Sequence, residues 1–255
     1  METILNVEGL TKYYGGLAAV EDLGLYIKRG EILSLIGPNG AGKTTTFNLI
    51  TGLESPTHGK IAFKEKEVIQ LKPHEIVEKG IVRTFQITRV FRKMTLIENV
   101  AVAQHIAIRP GLLSTLFSPS ERKREQKGFE KAREMLQFVN LISKGDDLAA
   151  NLSLGEQKRL ELAIALSLAP ELLLLDEPVA GMNPKETEEI INLIGVIRGK
   201  GITIFLIEHD MKMVMGISER IIVLNYGKKI AEGTPEEVSR NPSVVEAYLG
   251  RREHQ

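Results

Sequence analysis

Eight consecutive residues, Gly37-Pro38-Asn39-Gly40-Ala41-Gly42-Lys43-Thr44, constrain this chain more than any other stretch. They match the pattern G-x-x-x-x-G-K-[ST] throughout and stand between an apolar run, Glu31 to Ile36, and a segment with helical periodicity, Lys43 to Leu53. Ile32-Leu33-Ser34-Leu35-Ile36 is apolar enough for a strand buried on both faces, so the order is buried strand, glycine loop, helix. Small residues let such a loop curl until successive N–H groups point inward, and the helix starting near Gly42 adds its positive end. The product is a phosphate cradle. Lys43 supplies a mobile cation for phosphate oxygens, and the Thr44 hydroxyl is a hard oxygen of the kind Mg²⁺ prefers.

The rest of the chain supplies a sheet for that loop. Leu172 to Leu175 and Ile202 to Ile207 read as central parallel strands, and Pro184 to Gly199 is long enough for the crossover helix between them. Ile4 to Leu10 and Ala18 to Ile27 alternate apolar and polar residues around Gly15-Gly16, which predicts antiparallel strands. From about residue 85 to 165 the pattern is helical without a buried strand, and it includes the charged run Glu121 to Arg133, which reads as a solvated helix face. The expected organisation is α/β: one domain over 1–255, with a helical insert at approximately 87–165. Beyond Ser218 short β pieces return at Ile221 to Leu224 and Lys228 to Ala231.

Composition removes other classes of function. With 255 residues, 43% hydrophobic and 26% charged, the chain can bury a sizeable core and falls outside the disordered and membrane-embedded classes. Lys plus Arg (33) equal Asp plus Glu (33), so no global basic field draws in nucleic acid. The absence of cysteine excludes thiol nucleophiles, Cys-ligated zinc and iron–sulfur clusters. No basic-then-apolar leader opens the sequence and no apolar run approaches ~18 residues, so a cytoplasmic location is expected.

Leu172-Leu173-Leu174-Leu175-Asp176-Glu177 places two acids after four apolar residues, at the strand end where ligands of such sheets bind. Asp176 is the expected metal carboxylate, acting through water. Glu177 can then polarise an attacking water as general base.

A third motif narrows the field. Leu152-Ser153-Leu154-Gly155-Glu156-Gln157-Lys158-Arg159, after the glycine loop and just before the acidic strand, resembles the signature of ATP-binding-cassette ATPases. Tyr14 lies where that family places an aromatic against adenine; Gln86 after Thr84-Phe85 resembles its Q-loop glutamine, Gly181-Met182-Asn183 its D-loop and His209 its switch histidine. Leu154 and Glu156 depart from the commonest signature, which has glycine and glutamine there, while Ser153 and Gly155 keep a hydroxyl and an amide for a γ-phosphate.

The resemblance implies a P-loop ATPase fold with a RecA-like, mainly parallel sheet, an N-terminal antiparallel β subdomain and a helical signature subdomain. It implies ATP and Mg²⁺ as ligands. Tyr14, Gly37, Pro38, Asn39, Gly40, Ala41, Gly42, Lys43, Thr44, Thr45, Ser153 and Gly155 would bind nucleotide; Thr44, Gln86 and Asp176 would serve the metal; Glu177, His209 and Lys43 would be catalytic. Each chain would hold half a site, completed by Ser153 to Gly155 of a second ATPase subunit, homologous or identical.

Phe91 to Val100, Val102 to His105, roughly residues 107–127, Glu177 to Pro184 and Ala247 to Gly250 resemble the larger ATPase of branched-chain (hydrophobic) amino-acid uptake systems. That likeness implies integral membrane permease subunits as partners, an extracytoplasmic substrate-binding protein indirectly, and a peripheral position on the inner face of the membrane. It implies no nucleic-acid partner. A lipopolysaccharide-export ATPase, a soluble non-transport cassette ATPase and a non-hydrolysing nucleotide-binding regulator remain alternatives.

Overall fold

The computed structural model of the chain describes residues 2–84, 90–108 and 119–249. Strands β1 (Thr3–Tyr14) and β2 (Leu17–Lys28) form an antiparallel hairpin across Gly15-Gly16. Both run further than the alternation predicts, because the polar stretch through Tyr14 stays in the ladder by register shifts around residues 7 to 13. β3 (Ile32–Ile36) leads into the glycine loop and α1 (Lys43–Ile50) leaves it. This helix stops short of the expected Leu53. The Thr51 hydroxyl bonds back to the Phe47 carbonyl at 2.7 Å, and Gly52 takes φ +68° to turn the chain away.

Next come β4 (His58–Phe63), β5 (Lys66–Glu67), α2 (Pro73–Lys79) and the three-residue β6 (Ile81–Arg83). Helices α3 (Leu96–Ile108), α4 (Pro119–Phe138) and α5 (Leu154–Ser167) occupy the stretch expected to be helical. β7 (Leu172–Asp176), α6 (Pro184–Gly199) and β8 (Thr203–Ile207) follow, with α6 spanning the residues expected of the crossover. The chain then forms α7 (Met211–Ile217), β9 (Arg220–Asn225), β10 (Lys228–Gly233), α8 (Pro235–Ser239) and α9 (Pro242–Leu249).

Two sheets result. One is antiparallel, in the order β2-β1-β4-β5; the other has the order β10-β9-β3-β8-β7-β6, parallel from β9 to β6 with β10 added antiparallel at the edge. β3 sits between β8 and β9, so the glycine loop leaves the interior of the parallel sheet at its C-terminal end.

The central strands are buried on both faces, and successive residues feed different cores. Leu173, Leu175, Ile204 and Leu206 join the core shared with α3, α4, α5 and α6. Leu172, Leu174, Phe205 and Ile207 join the one shared with the N-terminal strands and α1. Phe47 of α1 packs against Phe205 with ring centroids 4.9 Å apart, and burying each ring contributes roughly 2–3 kcal/mol. The loop helix is thereby fixed to the sheet beside the acidic end of β7. Among the described residues, no helix is long and apolar enough to cross a membrane.

Candidate functional site: the phosphate loop and its acidic neighbours

The loop is wedged between two backbone walls. A methyl group on Gly37 (φ +151°) would run into the Leu224 carbonyl, and one on Gly42 (φ +101°) into the Ala19 carbonyl. The turn between β9 and β10 closes the other side: Gly227 N–H donates to the Ala41 carbonyl at 3.1 Å, and Glu21 N–H to the Gly227 carbonyl at 2.9 Å. Glycine is required at both walls for want of room and for the backbone angle. Gly42 is also the N-cap of α1 and brings no side chain to its first N–H groups, as an anion site at a helix start requires.

Lys43 is buried, and its ammonium donates to the carbonyls of Gly37 at 2.7 Å and Pro38 at 3.0 Å. Burial pushes its pKa below the ordinary lysine value, while the charges of Glu177 and Asp176 work in the opposite direction. The loop lysine and both acids of the strand end thus share one electrostatic neighbourhood. Thr44 is exposed, Thr45 half-buried, and Pro38, Asn39 and Gly40 form the accessible rim of the loop.

Glu177 follows β7 with φ +49°, a left-handed angle uncommon outside glycine, and its N–H is held by the Ile207 carbonyl at 2.9 Å. His209 follows β8; its Nδ1 lies 3.7 Å from Glu177 Oε1 and 3.7 Å from Glu208 Oε2. Asp176 is almost wholly buried, with Oδ2 accepting from Arg83 Nη2 at 2.6 Å.

Ser153 caps α5. Its hydroxyl accepts from Glu156 N–H at 3.3 Å, while Glu156 Oε2 accepts from Ser153 N–H at 3.0 Å. This reciprocal box accounts for glutamate at the fifth signature position, Glu156: it places an acid in the first turn, and against the upward pull of burial Lys144 and the Ser153 amide hold its carboxyl below the ordinary range. Gly155 is buried against α6, where an added methyl would meet Glu186 Oε1 at 2.9 Å. Tyr14 is exposed at the hairpin end, with its hydroxyl donating to Glu54 and Lys12 Nζ 5.2 Å from its ring centre. The bond to Glu54, with burial, raises its pKa; the Thr45 hydroxyl acts against that rise. Gln86 lies outside the described residues.

Four further residues of this region were not read from the sequence. Buried Glu208 accepts from Val179 N–H at 3.2 Å and from the N–H groups of His209 and Asp210 at 2.9 and 3.2 Å, so one carboxylate organises the chain on both sides of the Glu177–His209 pair. An acid directly after the apolar run of β8 was the available signal. Arg83, Asn48 and Glu54 bind one another or the residues above. None of the three stands in a recognisable pattern.

A glycine-loop strand inside a parallel sheet, with two acids ending the second strand along, defines the class of P-loop nucleotide hydrolases. Comparison with known proteins takes the chain further: the ABC transporter family model matches residues 20–180, and the chain belongs to that family as an ATP-binding, ATP-hydrolysing subunit. A second model, described as branched-chain amino acid ATP-binding cassette transporter, matches residues 228–254. The chain is 48% identical over 251 residues to the high-affinity branched-chain amino acid transport ATP-binding protein LivG of Salmonella typhimurium, covering 98% of each. It is 47% identical over 249 residues to BraF of Pseudomonas aeruginosa, which carries the same description, covering 97% of this chain and 98% of that one. Among solved structures, a nucleotide-free ATP-binding cassette from an ABC transporter aligns with TM-score 0.87 and 33% identity over 98% of this chain and all of the other. A cassette solved as a dimer in a post-hydrolysis state with ADP and phosphate aligns with TM-score 0.76 and 26% identity, over 91% of this chain and 99% of that one.

Proposed function

We propose that this chain energises the uptake of branched-chain or other hydrophobic amino acids, working on the inner face of a membrane against separate permease subunits that an extracytoplasmic binding protein supplies. The 48% identity with LivG across 98% of both chains carries the choice of cargo. The chemistry rests on the shared neighbourhood of Lys43, Asp176 and Glu177.

In this reading ATP is the substrate, bound with its phosphates against the N–H groups of Gly37 to Thr45 and its base against Tyr14. Lys43 turns from the Gly37 and Pro38 carbonyls towards the phosphate oxygens. Glu177 takes the proton of the attacking water, and His209 holds the carboxylate and the γ-phosphate in register. The donors present fit Mg²⁺: the Thr44 hydroxyl and the Asp176 carboxylate are hard oxygens. Among the described residues no cluster of three or more His, Cys, Asp or Glu could hold a metal, so water and phosphate would complete its shell, as magnesium prefers. When bound, the ion neutralises charge on the phosphates. Gln86, by family resemblance, is the third residue proposed to serve the metal.

Ser153 and Gly155 would serve the nucleotide of a second ATPase subunit across a two-fold interface. ATP then forms part of the contact, and its hydrolysis removes the preference for the closed pair. Residues 1–255 form one ATPase domain in this reading, with 87–165 as its helical part. A cavity of about 230 Å³ lined by Leu53, Ile76, Val82, Val90, Ile164 and Leu168 opens between α2, β6 and α5, where a helix of a permease subunit would couple.

The test is reconstitution. The ATPase, co-purified with its membrane subunits and supplied with the binding protein, is placed in proteoliposomes and ATP-driven movement of radiolabelled leucine, isoleucine and valine is measured. Saturable uptake, abolished by omitting ATP, is expected. Normal hydrolysis with no amino-acid movement, or with extraction of a lipopolysaccharide from the bilayer, would overturn the assignment.

A further inference from the structure

We propose that Arg83, anchored by Asn48, is a positioning residue that fixes the carboxylate of Asp176 relative to Thr44. The proposal rests on the reading of Asp176 and Thr44 as the protein's contribution to the metal.

Three contacts and deep burial hold the Arg83 guanidinium. Nη2 donates to Asp176 Oδ2 at 2.6 Å, Nη1 donates to Asn48 Oδ1 at 2.6 Å, the group lies 5.5 Å from the ring centre of Phe47, and only 6% of its side chain is exposed. Asn48 is held in turn, donating through Nδ2 to Glu54 Oε1 at 2.6 Å. A side chain fixed at this many points is a bracket for the carboxylate, not a mobile counter-ion.

What the bracket joins gives it a role. Asn48 and Thr44 are both on α1, four residues apart and therefore on one face of the helix. Arg83 thus spans from the face of α1 that carries the Thr44 hydroxyl to the acidic end of β7, and it sets the separation of the two oxygen donors. Without it, α1 is tied to the sheet by apolar packing, which does not fix the rotation of a carboxylate. The planar fork of arginine binds two acceptors in defined directions, whereas a lysine ammonium supplies the same charge without that geometry. The network also continues from Asn48 through Glu54 to the Tyr14 hydroxyl, so the proposed base end and metal end of the site share one chain of hydrogen bonds.

The same arrangement accounts for a buried ion pair at a reaction site. Asp176 is 1% and Arg83 6% exposed, and taking two charges out of water at such depth is not a cheap route to stability. Orientation of a metal ligand is a function that justifies it. Removing a group that hydrogen-bonds such a ligand typically weakens metal binding or activity about 10–100-fold.

The experiment measures binding of a fluorescent ATP analogue to the full chain, in EDTA and then across a Mg²⁺ titration, with circular dichroism as the folding control. In Arg83→Lys, affinity in EDTA is expected to stay within about twofold, while the Mg²⁺ concentration for half of the metal-dependent gain rises about tenfold. Asn48→Ala removes the anchor without burying an unpaired charge; it should shift the same midpoint by about threefold and provides the decision if Arg83→Lys does not fold. Asp176→Asn separates the two readings. An unchanged Mg²⁺ midpoint in Asp176→Asn would remove the metal role of that residue and the proposal with it. A shifted midpoint there, with unshifted midpoints in folded Arg83→Lys or Asn48→Ala, would overturn the role of Arg83 alone.

Discussion

His209 Nδ1 stands 3.7 Å from a carboxylate oxygen of Glu177 and 3.7 Å from one of Glu208, so a single imidazole sits between an accessible acid and a buried one. The two acids have different employment. Glu208 is committed to the N–H groups of Val179, His209 and Asp210, whereas Glu177 retains 22% side-chain exposure. His209→Ala should leave the polypeptide path intact, because the hydrogen bond from the His209 amide to Glu208 survives the loss of the ring. Turnover is expected to fall about 10²-fold with ATP affinity changed less than about threefold. Steady-state phosphate release set beside equilibrium nucleotide binding checks this, and full activity in the alanine variant would remove His209 from the reaction.

Glu177→Gln tests the general base directly. The amide fits the same space and keeps the hydrogen-bonding reach, but it cannot accept the proton of the attacking water. Hydrolysis should drop about 10²–10⁴-fold while ATP still binds, leaving a closed pair that the missing reaction cannot open. Light scattering should then report a doubling of mass on adding Mg·ATP, with no change for the unsubstituted chain after turnover. A variant that stays monomeric and hydrolyses ATP normally would contradict both the base and the two-chain site.

Lys43 sits where function and stability pull apart. Burial lowers its pKa, so below that depressed value the folded state carries a proton at a cost that the unfolded chain does not meet. The unfolded state binds more protons between the depressed value and about 10.4, and stability attributable to this group therefore rises with pH through that window. Replacing Lys43 with Met should keep the melting temperature at pH 7 or raise it by a few degrees. Triphosphate affinity should fall about 10–100-fold, the worth of one hydrogen bond to a charged group. Calorimetry and nucleotide titration on the same preparation separate the two effects.

How much of this was legible in the sequence follows from how far each signal extends along the chain. The glycine loop, the acidic end of β7 and the α6 crossover are local patterns, and α6 begins where Asn183 and Glu186 form their capping box. β6 was missed because three residues carry no periodicity; it becomes a strand through pairing with Leu172 to Leu174. α8 and α9 were missed for a similar reason, being short and packed on β9 and β10 through Val238 and Val244. The site divides the same way. Residues proposed to meet the nucleotide fall mostly inside motifs, while Arg83, Asn48 and Glu54 form one network that reaches those residues from separate parts of the chain. Their partners lie as far apart as 93 positions, as between Arg83 and Asp176, and no local spacing encodes such a contact.

Glu171, just before β7, gives an acid-stability test away from the chemistry. Lys64, with Arg29 at 3.0 Å, holds its carboxyl below the ordinary glutamate range, against an upward pull from burial. A depressed carboxylate pKa means that the folded state releases the proton more readily. The stability it confers is fully present above about pH 4.3, the value for a free glutamate, and is lost as pH falls through the folded value. All three side chains are more than a third exposed, so solvent screening limits the contribution to about 1 kcal/mol or less. Glu171→Gln should therefore lower the urea midpoint slightly at pH 7, and the two midpoints should converge as pH drops below 4. The neighbouring bonds make the direction informative: Glu171 N–H donates to the Gly80 carbonyl and the Glu171 carbonyl accepts from Thr203 N–H, both of which the amide variant retains. A deficit that persists undiminished in acid would place the effect in packing and not in charge.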